Sequence, residues 1–231
     1  MFWEEEEDKS LPYKVPDEVI DLSFNIKCKS LPLNHAWQLS EQIIKRLPWI
    51  KKDEISGIHQ IHVAESNNGW MRPEDTETGA LLYPSRRTKL TLRIPILKLK
   101  ETQSLTGETL EFDGYEISIG SSKQKLLTNS SVIFSRYLID LESKDEDTFL
   151  SKMAQEIKEK TNFKVKKMLC GKSHTIKTPN GDLPTRHLMI ADLDSETSIA
   201  LQQQGLGPKR ELGCGIFLPH KGIKSLNPSD Q

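Results

Sequence analysis

Four glycines and two adjacent cations crowd the segment Gly205-Leu206-Gly207-Pro208-Lys209-Arg210-Glu211-Leu212-Gly213-Cys214-Gly215. Glycine admits positive φ and lets a backbone come close to a partner, and exposed N–H groups beside Lys209 and Arg210 suit phosphate oxygens. A dinucleotide fold is the rival reading, but that motif must follow a strand and open a helix inside a βαβ unit, and only 16 residues follow Gly215. Six histidines offer proton transfer near neutral pH. His35 follows Asn34 where a run of helical spacing begins, and an N-terminal helix dipole there favours the neutral, basic imidazole. His35 also lies on the row of Leu39 and Ile43, so a partly buried, hydrogen-bonded histidine is the other reading. His59 shares a strand face with Ile61 and Val63, a core position, while His59 and His62 face opposite ways and make a poor metal pair. Asp21, Glu41 and the other scattered carboxylates lack the paired spacing of a metal nuclease or a glycosidase. No metal site and no cofactor is expected.

The chain that carries these groups has 231 residues, with 32 basic and 33 acidic side chains and 35% hydrophobic residues, which describes a globular chain and excludes disorder and collagen. No run approaches the roughly 18 apolar residues of a membrane span, and Met1-Phe2-Trp3 followed by Glu4 to Glu7 and Asp8 lacks the order of a signal peptide. A cytoplasmic protein without a membrane partner is expected. Cys28, Cys170 and Cys214 form no CxxC pair and read as reduced thiols. The net charge of -1 conceals segregation. Residues 81–100 hold Arg86, Arg87, Lys89, Arg93, Lys98 and Lys100 with no acid, and residues 164–224 hold ten cations against five acids. Acids collect at 4–8 and 140–147. A basic surface facing a polyanion is one reading, and ordinary solvated faces are the other.

The elements that must position these groups alternate in type. Ile20, Leu22, Phe24, Ile26 and Cys28 alternate with Asp21, Ser23, Asn25 and Lys27, the period of a strand. Asn34 is placed to cap a helix whose Ala36, Leu39, Ile43, Ile44 and Leu47 recur at helical spacing until Pro48. A short strand at about 58–63, a polar stretch at 64–80 and a strand from Lys89 to Ile94 follow, then a short helix at 95–104 and a hairpin around Asp113-Gly114. The order repeats: a strand from Val132 to Leu141, a helix at about 146–161, strands near 164–176 and 184–193 around Asn180-Gly181, a helix of 195–204 capped by Gly205, and a last strand near 212–218. Both halves read as β-α-β-β-α-β, giving an α+β chain of tandem ferredoxin-like, RRM-like units. The expected division is an acidic extension at 1–17, a first unit at 18–122, a second at 130–224 carrying the Gly-rich loop 205–215, and a tail at 225–231.

The loop spacing, G-apolar-G, five residues, then G-x-G, placed between helix and strand of a second ferredoxin-like unit, resembles the Gly-rich loop of the repeat-associated RNA-binding superfamily of CRISPR systems. Within it the chain is similar to the endoribonucleases that cut CRISPR precursor transcripts within their repeats, and Gly57-Ile-His-Gln-Ile61 and Glu211 through Ile223 resemble a short type I subgroup. The resemblance covers nearly all of residues 18–224. It implies metal-independent cleavage 3′ of a repeat hairpin, in which the upstream 2′-hydroxyl attacks the adjacent phosphate to leave a 2′,3′-cyclic phosphate and a 5′-hydroxyl. That chemistry needs a base, a charge-stabilising donor and an acid. The resemblance places a catalytic histidine in or near the first helix, so His35 is the expected base, with His59 its rival. Arg86 is the expected partner for the phosphorane charge, with Tyr83 weaker. Arg87, Lys89 and Arg93 share a strand face that could track a phosphate backbone, and Lys172, Lys177 and Arg186 decorate the second hairpin, where such enzymes meet the base of the RNA stem. His174 and His187 lie there too. Gly205, Gly207, Lys209, Arg210, Gly213 and Gly215 complete the expected RNA contacts. The partners implied are a CRISPR repeat stem-loop and type I effector subunits, with no DNA. Two other readings stand beside this one: a catalytically silent RNA-binding subunit of an effector complex, and a protein-interaction domain that never touches RNA.

Overall fold

The computed structural model describes residues 13–63, 80–143 and 145–220; the acidic stretch at 4–8, nearly all of the polar stretch at 64–80 and the tail beyond 220 lie outside them. β1 (Val19–Lys27) buries Ile20, Leu22, Phe24 and Ile26 on one side and turns Asp21, Ser23 and Asn25 to the other, as its alternation requires. After β2 (Leu31–Pro32), α1 (Ala36–Arg46) sets Ala36, Leu39 and Ile43 against the sheet and ends with Lys45 and Arg46 at its negative pole. The cap differs from expectation: His35, not Asn34, holds the N-cap position, with no side-chain capping bond. Pro48 stops α1 and opens a 3-10 turn, Pro48–Lys52.

β3 (Gly57–Ile58), β4 (Leu81–Leu82), β5 (Lys89–Pro95), α2 (Leu99–Gln103), β6 (Thr109–Phe112) and β7 (Tyr115–Leu126) complete the first half. Its sheet runs β3-β5-β1-β7-β6 with antiparallel neighbours, and β2 pairs with β4 apart from it. β6 and β7 form the hairpin expected at Asp113-Gly114, where both residues take positive φ. β7 runs to Leu126, past the boundary expected at 122.

In the second half, β8 (Ile133–Ile139), α3 (Glu146–Thr161), β9 (Lys167–Ile176), β10 (Leu183–Ala191), α4 (Ser195–Gln204) and β11 (Leu218–Pro219) build a sheet of order β11-β8-β10-β9. α3 and α4 start on Asp145 and Asp194, whose carboxylates accept from the N–H groups of Thr148 and Thr197 at 2.7 Å, and α3 ends on left-handed Asn162. The last strand is much shorter than expected. Gly213 and Gly215 take φ of 84° and 65°, which no ladder accommodates, so a 3-10 turn (Arg210–Leu212) and a loop occupy most of 212–218.

Each sheet carries its own apolar core, Phe24, Ile43, Leu92 and Ile117 among others in the first and Ile133, Phe149, Ile157 and Phe217 in the second. A third cluster joins them: Ala36 and Trp37 of α1 pack with Tyr137, Ile139, Ile176, Leu183, Leu212 and Cys214. Cores of this kind are close-packed, so the junction has one geometry.

Candidate RNA interface and active site

His35, the expected base, is a wedge. It is 1% exposed; its Nε2 accepts from the Ile61 N–H at 3.0 Å and its Nδ1 lies 2.9 Å from the Pro32 carbonyl. Because Nε2 accepts, the ring proton sits on Nδ1 and is donated to Pro32, and a proton on Nε2 would take the acceptor from the Ile61 N–H. In this geometry His35 ties α1 to the segment after β3. His59 sits instead against Asp21, its Nε2 3.4 Å from Oδ1, with only 14% of its side chain exposed.

Asp21 and Arg93 face each other across the β1–β5 register. Arg93 is wholly buried; Nε and Nη2 grip both oxygens of Asp21 at 2.8 and 2.9 Å, and Nη1 donates to the carbonyls of Gln202 at 2.7 Å and Phe217 at 2.8 Å. Burial alone would raise the Asp21 pKa, but the Arg93 guanidinium and His59 outweigh it and hold the carboxyl far below its usual range. Arg93 therefore fastens the first sheet to the end of α4, which corrects its assignment to RNA. Arg210 repeats the device from the other side. Its guanidinium donates to the Ile55 carbonyl at 2.6 and 3.1 Å and to Gly215 and Gln203, and burial, with the charge of Arg93, pulls it down to about 9. It too is a clasp between the halves and is not offered to phosphate.

The Gly-rich loop closes inward. A Cβ at Gly205 would collide with the Arg210 guanidinium, and one at Gly213 would lie 2.9 Å from the Gln60 side chain, so both glycines, and Gly215 with them, serve close packing. The Gly207 N–H donates to Glu156 Oε1 at 2.8 Å, so a carboxylate occupies that amide of the loop. Of the two loop cations, Lys209 is the one exposed to solvent, 3.7 Å from Glu211. Arg186 is likewise engaged: Nε meets Asp140 at 2.5 Å and the guanidinium lies 5.8 Å over Phe149.

One group of exposed cations lies on and beside the first sheet. Arg86, Arg87 and Lys89 are exposed, and Lys89 bonds the Asn25 amide oxygen. Arg86 lines a cleft of about 650 Å³ with Lys27, Lys29, Ser85, Tyr115 and one acid, Glu116; neither His35 nor His59 lines it. The strand register adds cations that sequence reading missed. Lys123 lies opposite Ser23 and Lys125 opposite Asp21, on the face that carries Asn25 and Lys27. The signal was the alternation of β1 itself, which assigns a polar face but not what its neighbour strand adds to it.

A second group gathers on the other sheet. The hairpin β9–β10 pairs Thr185 with His174, and His187 follows at a bulge in the register. The two imidazoles lie with ring centroids 4.7 Å apart, each edge-on to Tyr137 at 5.7 and 6.3 Å, and His62 stacks on Tyr137 at 6.0 Å with the rings 15° apart. Tyr137 is 3% exposed, whereas His62, His174 and His187 are half-buried. A narrow crevice beside them is lined by Asn34, Gln60, Tyr137, His174 and Lys177. Lys172 and Lys177 are exposed on the same hairpin. Burial raises the pKa of all three cysteine thiols, so none is set up as a nucleophile. No helix among the described residues is long and apolar enough to cross a membrane.

Residues 20–222 match the family model described as Cas6, Cas6 Crispr. A CRISPR-associated endonuclease Cas6 of Myxococcus xanthus (strain DK1622) is 26% identical over 203 residues, spanning 87% of this chain and 81% of the relative. Among solved structures, one described as a Cas6-related gene from Pyrococcus furiosus superposes with a TM-score of 0.60 at 14% identity, over 89% of this chain and all of the other. A RAMP protein described as binding different RNA substrates gives 0.59 at 12%, over 86% of this chain and 98% of its own. At those identities the likeness establishes the fold, a mixed α+β arrangement of antiparallel sheets. The match of the family model across nearly the whole length decides the rest: the chain belongs to the Cas6 family of CRISPR-associated endoribonucleases.

Proposed function

We propose that this chain is a metal-independent endoribonuclease that cuts CRISPR precursor RNA 3′ of the repeat hairpin. The 2′-hydroxyl upstream of the cut attacks the adjacent phosphate, and the products are a 2′,3′-cyclic phosphate and a 5′-hydroxyl. The observation that carries this reading is the pairing of an open cationic sheet face with a junction rich in half-buried histidines, in a chain of this family. Cleavage of this type needs proton transfer and charge neutralisation rather than redox chemistry or a bound cofactor. Both halves have the strand order of a ferredoxin-like unit, counted as fourth-first-third-second, with the β6–β7 hairpin standing as the fourth strand of the first. The units proposed for them are 18–122 and 130–224, as read from the sequence.

Arg86, Arg87, Lys89, Lys172, Lys177 and Lys209 are the expected residues that meet the RNA backbone, since they are exposed cations. A repeat stem-loop is the proposed substrate, bound by shape and phosphate contacts. A cytoplasmic location and association with type I effector subunits are part of the same proposal. A second reading has one observation in its favour: His35 and His59 are both engaged within the fold, which suits a subunit that holds RNA without cutting it. Incubation with the repeat RNA of its own locus in EDTA, beside an RNA carrying a 2′-deoxy sugar at the cut site, separates the two. Cleavage of the first RNA alone, leaving a cyclic phosphate, supports the ribonuclease. Tight binding with no cut supports the silent subunit, and no binding overturns both.

A further inference from the structure

We infer that His174 and His187 are the acid–base pair of the cleavage step, an inference that rests on the ribonuclease reading above. The β9–β10 register places His174 opposite Thr185 and carries His187 onto the same side at the bulge, so two imidazoles meet at 4.7 Å with their planes 38° apart. Diagonal neighbours on one sheet face reach each other in this way. Tyr137, buried on β8, is a fixed wall for both rings, and His62 braces that wall from the other half of the molecule. A histidine that only fills space is expected to be fully buried, as His35 is; these are half-buried, and His174 opens on the crevice that Lys177 shares.

Two imidazoles side by side, with Lys177 at the rim of the crevice, can divide the two proton transfers between them. One ring serves as the neutral base and its neighbour as the imidazolium acid. In-line displacement at phosphorus needs that combination, because the entering and leaving oxygens lie on opposite sides of the phosphorus. The neutral ring takes the 2′-hydroxyl proton as the 2′-oxygen bonds to phosphorus. The bond from phosphorus to the 5′-oxygen breaks, and the imidazolium gives its proton to that oxygen. Protons and charge balance, with the pair left in the opposite protonation state and reset through solvent. Lys177 stands where it can meet the phosphorane oxygens.

The test is single-turnover cleavage in EDTA by the full chain, with affinity read separately on the uncleavable 2′-deoxy RNA. His174→Ala and His187→Ala are each expected to slow cleavage by about 10²- to 10⁴-fold while affinity stays within about threefold. An RNA with a sulfur in place of the 5′-bridging oxygen needs no acid, so it is expected to restore cleavage in one of the two variants and not in the other, which a merely structural role would not do. His187→Gln, with its thermal midpoint measured, keeps the test valid if an alanine variant fails to fold. Wild-type rates in both variants, or losses that follow affinity with no relief by sulfur, overturn the inference while leaving the ribonuclease reading intact. Full loss in His62→Ala with little change in the other two overturns it as well. A wild-type protein that cuts no repeat RNA fails the reading of function itself.

Discussion

The junction between the two sheets and the hairpin β9–β10 hold the same kinds of side chain and use them differently. At the junction, Arg93 and Arg210 are buried, and almost every donor they own is spent on the Asp21 carboxylate or a backbone carbonyl. On the hairpin, His174, His187, Lys172 and Lys177 are half-buried or exposed. A cation with all its hydrogen bonds satisfied inside the protein has nothing left for a phosphate, so the buried set determines geometry, and the exposed set is the one proposed above to meet RNA. The charge segregation of the sequence points to both sets at once and does not separate them.

The sharpest way to break that division is Arg93→Ala. It leaves Asp21 as an uncompensated buried charge and removes the bonds to Gln202 and Phe217, and a loss of about 3–5 kcal/mol is expected in denaturant unfolding. Asp21→Asn is expected to cost about 3 kcal/mol at neutral pH and to change the acid limb of stability. The sign follows from the lowered pKa of Asp21: the unfolded carboxyl binds protons more readily, so the stabilisation is full above the ordinary carboxylate pKa and drains away as pH falls toward the folded value. Unfolding midpoints measured from neutral pH downward should fall in the wild type and fall less in Asp21→Asn. His35→Gln should cost about 2 kcal/mol, since the Ile61 N–H or the Pro32 carbonyl loses its partner, yet the folded variant should still cut. The smallest effect belongs to Lys89→Ala, which should weaken RNA binding by less than about 1 kcal/mol and reduce the slope of log affinity against log salt by about one, with no change in stability beyond about 0.5 kcal/mol.

Much of the fold is legible in the sequence because local signals state it. The helices Glu146–Thr161 and Ser195–Gln204 stand where their periodicity, Asp caps and Asn162 or Gly205 termini put them. The strand expected at 212–218 is reduced to Leu218–Pro219, because Gly213 and Gly215 with positive φ break the run ahead of it. The site is less legible, for a different reason. Alternation on Lys89 to Ile94 shows that Arg93 is on a polar face, but only the packing of α4 shows that the face is covered at that point. His174 and His187 are readable as neighbours once the Asn180-Gly181 turn fixes the hairpin. The approach of His62 to Tyr137 is not readable, since His62 follows β3 in the first half, Tyr137 lies on β8 in the second, and no local pattern joins them.

The most direct measurement is single-turnover cleavage of the repeat RNA in EDTA by His35→Gln and His174→Ala, side by side with wild type. The expected result is a His35→Gln rate within about threefold of wild type and a His174→Ala rate lower by at least about 10²-fold, both with retained RNA affinity. The reverse pattern, a dead His35→Gln beside an active His174→Ala, would contradict the division between buried groups that hold the fold and half-exposed groups that act on RNA.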